Sequence, residues 1–209
     1  MAERRPGRLG VFGGTFDPIH QGHLIAAEEL RFALQLDLVL FLPAAQPPHK
    51  VGRRVAAESD RLRMVEMAIA GNSHFGVSYV DTRREGLSYT ADSLSIIRKD
   101  FPHQQLYFLM GQDSLRDFPT WHDPGAIASQ ARLGVALRPG VELVLEDIVM
   151  RVPEASGKID IVDIPLIQIA SHQIRQRIRE GRPITYQVPS AVEEYICRRG
   201  LYLPDGRRC

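Results

Sequence analysis

"RLGVFGGTFDPIHQGHLIAAEELRFAL", residues 8–34, changes character twice. Arg8 to Gly14 is a short apolar run and reads as a strand, while from about Gln21 to Leu24 onward the apolar residues recur at helical spacing. Between them Gly13 and Gly14, which lack a Cβ, let the chain turn and let a ligand approach the main chain. In an open parallel sheet such a turn lies beyond the carboxyl end of a strand, where helix N-termini point outward and anions bind. His20 and His23 then stand at the start of the helix, facing that edge.

The alternation continues along the chain. "LVLFLP" (38–43), "HFGVSYVD" (74–81), "QLYFLMG" (105–111), "ARLGVALRPG" (131–140) and "KIDIVDIP" (158–165) read as strands. "ESDRLRMVEMAIAG" (58–71) reads as a helix ending on Gly71, and "TADSLSIIRKDF" (90–101) as one capped by Thr90. Beyond these, one short helix is opened by Ser171 and closed by Gly181 before Pro183, and another starts after Pro189. The pattern predicts an α/β fold: a Rossmann-like, doubly wound parallel sheet with a short helical C-terminal end. No break in composition divides the 209 residues, so one domain over 1–209 is expected, with about 165–209 as a helical subregion. "PPHKVGRRVAAES" (47–59) is expected to be a mobile loop able to close over an anionic ligand.

Composition narrows the partners. Apolar residues make up 44% of the chain, enough for an ordinary core, and 26 Lys and Arg against 25 Asp and Glu leave a net charge of +1. So even a balance supplies no broad field for a nucleic-acid backbone; a small anionic substrate held by local positive groups fits better. No apolar run approaches a membrane span or a signal-peptide core, so a cytoplasmic protein is expected, and Cys197 and Cys209 are expected as reduced thiols. No sustained heptad stands out, which leaves a homo-oligomer open.

Three familiar chemistries fail at the opening stretch. Dinucleotide binding of the dehydrogenase kind needs G-x-G-x-x-G, where this chain has G-x-x-G-G. No G-x-x-x-x-G-K-[ST] phosphate loop occurs, and His-x-x-His without neighbouring Cys or carboxylates makes an incomplete zinc site. Two readings remain: imidazoles donating to phosphate oxygens beside a helix dipole, or capping and core histidines.

"GGTFDPIHQGH" resembles the H-x-G-H signature of the nucleotidyltransferase superfamily, and its longer form resembles the bacterial nicotinate-nucleotide adenylyltransferases. "LPAAQPPHK", "RREGLSYTADSL", "YFLMGQDSLRDFPTWH" and "IASHQIRQRI" agree in the same order, from residue 10 to about 178. The resemblance implies transfer of the adenylyl group of ATP to nicotinate mononucleotide, giving the deamido dinucleotide and pyrophosphate in NAD biosynthesis, with Mg²⁺ carried by ATP and no dedicated protein cage. It makes His20, His23 and Arg175 the catalytic residues. ATP would lie against Gly13, Gly14, Thr15, Phe16 and Gly22, with Gly111 and Asp113 at the ribose and Ser171 and His172 at the leaving phosphates. The C-terminal subregion would thereby complete the ATP site. Thr90, Trp121 and His122 would form the nicotinate pocket, and Lys50 and Arg138 are candidates for the mononucleotide phosphate or the triphosphate. Ala170 and His172 stand where the family carries serine and threonine, removing two hydroxyls from the phosphate side. Alternatives are another acceptor, namely the amidated mononucleotide, phosphopantetheine or a cytidylyl-transfer substrate, or a nucleotide-binding module without turnover.

Overall fold

In the computed structural model, which describes residues 7–45, 55–84, 86–138 and 144–203, six strands form one parallel sheet. They are β1 (Arg8–Gly14), β2 (Leu38–Pro43), β3 (Phe75–Val77), β4 (Gln105–Gly111), β5 (Arg132–Leu137) and β6 (Ile159–Asp163). The helices are α1 (Gln21–Ala33), α2 (Glu58–Ile69), α3 (Thr90–Asp100), α4 (Gln112–Asp117), α5 (Pro124–Gln130), α6 (Leu145–Arg151), α7 (Ser171–Arg179) and α8 (Ser190–Arg199). Sheet order is β3-β2-β1-β4-β5-β6, so all strands run parallel and the direction in which successive strands are added reverses between β1 and β4. That pair frames the crevice where ligands of such sheets bind.

Strand periodicity sorts the core into two layers. In β4, Tyr107 and Leu109 point to the layer built by Ala27 and Leu30 of α1, Met64 and Val65 of α2, Ile174 and Ile178 of α7, and Val192 and Ile196 of α8. Leu106, Phe108 and Met110 point the other way, onto Leu94 and Ile97 of α3, Leu115 of α4, Ile127 of α5 and Ile148 of α6. The C-terminal helices thus share the layer of α1 and bring the start of α7 back to the β1–α1 loop.

Several expectations change. The strand predicted over 74–81 pairs only over Phe75–Val77; Ser78 still donates its N–H to Phe41 O, and the chain then turns at residues 80–83. Tyr89 is the N-cap of α3, which makes Thr90 the first helical residue and not the cap. Glu58 and Ser59 already belong to α2, while residues 47–54 of the predicted mobile loop lie outside the described residues, as does Lys50. Cys197 is disulfide-bonded, against the expectation of a reduced thiol. Among the described residues no helix is long and apolar enough to cross a membrane.

Candidate active site

Two cavities of about 630 and 640 Å³ open at the carboxyl edge of the sheet. They share Gly13, Gly14 and Ser114, so the end of β1 and the start of α4 form the sill between them. The first lies against α1 and α7 and is walled by His20, His23, Asp113, His172 and Arg175, with Ile164, Ile167 and Ile169 as an apolar side. The second lies against α3 and is walled by Asp81, Ser88, Thr90, Trp121 and His122.

The turn after β1 is made elsewhere than the sequence suggests. Neither Gly13 nor Gly14 has a positive φ; Phe16 does, at 50°. The glycines serve close packing, since a Cβ on Gly13 would come 2.9 Å from the Phe108 ring and one on Gly14 2.8 Å from the Phe16 ring. Phe16 turns its buried side chain inward against Phe12, His23 and Phe41. Its ring supports the first cavity from below and does not line it.

His20 is the N-cap of α1, buried to 5% exposure, and His23 occupies the third helical position. The His20 N–H donates to His23 Nδ1 at 3.2 Å, and the two rings stack with centroids 3.7 Å apart. A neutral His23 accepting at Nδ1 carries its proton on Nε2 and is a donor there. Gly22 keeps this arrangement open: a Cβ there would stand 3.1 Å from His20 Nδ1. Burial holds the His20 imidazole down at about 4, from an ordinary 6.5, so it is neutral at pH 7, and Nδ1 has no partner among the described residues. The His20 ring thus offers a single N–H donor at a helix N-terminus, in place of a full positive charge.

That shift has a stability consequence. The unfolded chain binds a proton near pH 6.5, whereas the native state keeps His20 neutral to about pH 4. Stability therefore declines as pH falls from 6.5 to 4, by about 3 kcal/mol from this group. His20→Asn should flatten the loss of melting temperature between pH 7 and 4.5; an unchanged slope would remove His20 from that role.

Helix α7 is docked onto the same loop. Ser171 Oγ donates to Pro18 O at 2.9 Å, and Arg175 Nη1 donates to Asp17 O at 2.6 Å while lying 3.4 Å from Asp17 Oδ2. Asp17 is 2% exposed, and its Oδ1 accepts from Tyr202 Oη at 2.8 Å and Ala56 N at 3.2 Å. The Ser171 hydroxyl proton is thus spent on the fold, while His172, exposed on the second helical position, sits on the cavity wall. Asp113 pairs with Arg138 at 3.0 Å, and Arg138 lines the first cavity and not the second.

In the second cavity Trp121 packs edge-on against Phe108 and Phe118, and the His122 ring lies 4.1 Å from that of Tyr89. Thr90 begins α3, so its N–H belongs to the first turn, whose donors have no intrahelical acceptor. Asp81, 4% exposed, accepts from Ser93 Oγ at 2.5 Å and from Arg84, and burial raises its carboxyl above the ordinary range. Ser88 accepts from Ala45 N at 3.0 Å, tying the turn before α3 to the end of β2.

Of the residues singled out from sequence, Gly13, Gly14, Gly22, His20, His23, Gly111, Asp113, Arg138, Ser171, His172 and Arg175 come together at the first cavity. Thr15, Thr90, Trp121 and His122 come together at the second. Sequence reading missed Asp17, Ser114 and Arg61. Arg61, 2% exposed, donates to Thr15 O, Ala44 O, Ala45 O and Ala56 O, stapling the β1–α1 and β2–α2 loops together behind the sill. Asp17 lay inside the quoted motif, but nothing in its spacing announced partners at 175 and 202.

Parallel sheet, reversal point and paired cavities give the architecture of a nucleotide-binding α/β protein, with the two cavities meeting at the end of β1. Residues 11–177 match the family described as Cytidylyltransferase-like. A "Probable nicotinate-nucleotide adenylyltransferase" of Thermomicrobium roseum is 59% identical over 195 residues, 93% of this chain and 91% of that one. A protein of the same description from Desulfitobacterium hafniense (strain Y51) is 42% identical over 199 residues, 94% and 96% of the two chains. The solved Plasmodium falciparum nicotinic acid mononucleotide adenylyltransferase complexed with NaAD superposes with a TM-score of 0.77 over 94% of this chain and 97% of that one; at 18% identity it bears on the fold alone. The chain belongs to the Cytidylyltransferase-like family, among its nicotinate-nucleotide adenylyltransferases.

Proposed function

We infer that the protein transfers the adenylyl group of ATP to nicotinate mononucleotide, giving nicotinate adenine dinucleotide and pyrophosphate. The observation that carries this reading is the sill: two cavities of nucleotide size meet at Gly13 and Gly14, beside His20 and His23. ATP takes the first cavity, its base against Ile164, Ile167 and Ile169 and its ribose near Gly111 and Asp113. Nicotinate mononucleotide takes the second, its ring against Trp121 and its carboxylate toward the N-terminus of α3 at Thr90 and the main chain of His122.

The mononucleotide phosphate is already an anion at neutral pH, so no side chain needs to deprotonate it. Its oxygen forms the new bond to the α-phosphorus as the bond from that phosphorus to the bridging oxygen breaks, and the electron pair leaves on pyrophosphate. The protein holds two repelling anions in line and stabilises charge on the departing phosphates. His20, neutral at pH 7, and His23 serve as donors there, with Arg175 and the first turns of α1 and α7. Mg²⁺ enters with ATP as part of the substrate; among the described residues no group of three or more His, Cys, Asp or Glu side chains could hold it apart from the phosphates. A single domain whose C-terminal helices complete the ATP side, placed in the cytoplasm where ATP is supplied, goes with this reading.

Trp121→Ala should raise KM for nicotinate mononucleotide about tenfold to a hundredfold, the worth of one ring stack plus its burial, and leave KM for ATP within about twofold. Steady-state pyrophosphate release with each substrate varied in turn checks this. An unchanged mononucleotide KM takes Trp121 out of the pocket.

A further inference from the structure

The C-terminal segment reaches the site through one hydroxyl. Tyr202 donates to Asp17 Oδ1 from 185 positions away, and its backbone sits at φ 65°, a left-handed conformation uncommon for a bulky residue. Leu201 and Leu203 on either side pack against the layer of α1 and α8, so the segment is anchored independently of the hydroxyl. Burial, reinforced by the Asp17 carboxylate, raises the phenol above its ordinary range and keeps it a donor.

Asp17 has two jobs that compete. One oxygen takes Tyr202 and the Ala56 N–H; the other, with the Asp17 carbonyl, takes Nη1 of Arg175. An arginine presents five N–H groups in a rigid fork, so fixing Nη1 fixes where Nε and Nη2 point. Without the tyrosine, only the longer Ala56 N–H contact holds that oxygen, and the carboxylate can turn toward the guanidinium to close a two-pronged pair with it. Such a pair would satisfy the donors and charge that a departing phosphate needs. Tyr202 holds the carboxylate back with a neutral hydrogen bond and adds no competing charge.

We propose that Tyr202 is a positioning residue for adenylyl transfer: by restraining Asp17 it keeps the Arg175 guanidinium turned to the phosphate side of the first cavity. This rests on the assignment of Arg175 to the leaving phosphates. The test is a double-mutant cycle on Tyr202→Phe and Arg175→Ala, read by kcat, the two KM values and product inhibition by pyrophosphate. Tyr202→Phe should lower kcat about tenfold and weaken pyrophosphate inhibition by a similar factor, with mononucleotide KM unchanged. In the Arg175→Ala background it should do nothing further. Asp17→Asn, of the same size and without the charge, should behave like Tyr202→Phe and should not add to it. If Arg175→Ala leaves kcat and pyrophosphate inhibition intact, the assignment of Arg175 is wrong. If Arg175→Ala is impaired but Tyr202→Phe is silent, or costs the same factor in both backgrounds, the positioning role is overturned.

Discussion

His23→Ala should lower kcat for pyrophosphate release at least about a hundredfold, the usual loss when one donor to developing phosphate charge is removed. ATP KM should change much less, because the donor matters most as the bond breaks. The substitution also carries a structural cost, because His23 Nδ1 accepts the His20 N–H at the start of α1. Losing that cap should cost about 1 kcal/mol and lower the melting temperature by roughly 2–4 °C. Activity is therefore compared well below the transition, where both proteins are folded. His20→Ala should lose activity comparably and more stability, since its ring is buried and stacked on His23. A variant with full kcat would leave the histidines as caps, the second reading the sequence allowed.

Arg61→Met should be the most destabilising single change, by about 4 kcal/mol. The methionine fills much of the volume, but four backbone carbonyls lose their donor, each costing about 1–3 kcal/mol if left buried and dry. Burial alone pulls the Arg61 guanidinium below its ordinary range, and Asp17, nearby, is the largest opposing influence. Removing the cation thus also leaves a buried carboxylate with less compensation. The denaturation midpoint in urea reads the effect. A midpoint shift worth less than about 1 kcal/mol would mean that the loops behind the sill hold themselves.

These two residues mark what a sequence can disclose. His20 and His23 lie three apart at a strand-to-helix junction, and local spacing places them at the sheet edge. The long strands and helices were legible for the same reason, because their apolar periods run over six residues or more. The short helices α4, α5 and α6 were not: six or seven residues give hardly two turns of period. Strand β3 was overread because Ser78 to Asp81 are strand-like in composition but leave the sheet to build the wall around Asp81. Arg61 and Tyr202 owe their roles to partners up to 46 and 185 positions away, and such contacts exist only once the sheet is assembled. Arg138 stayed open between the mononucleotide phosphate and the triphosphate because a lone cation has no address until a partner, here Asp113, supplies one.

The central claim is that the second cavity selects a nicotinate ring and the sill delivers its phosphate to ATP. Pyrophosphate release by the purified protein, with ATP and equal concentrations of nicotinate mononucleotide, its amide or phosphopantetheine, tests it most directly. The expected result is the highest kcat/KM with nicotinate mononucleotide, with deamido dinucleotide formed in step with pyrophosphate. Preference for the amide or for phosphopantetheine, or bound ATP with no pyrophosphate released from any acceptor, would contradict it.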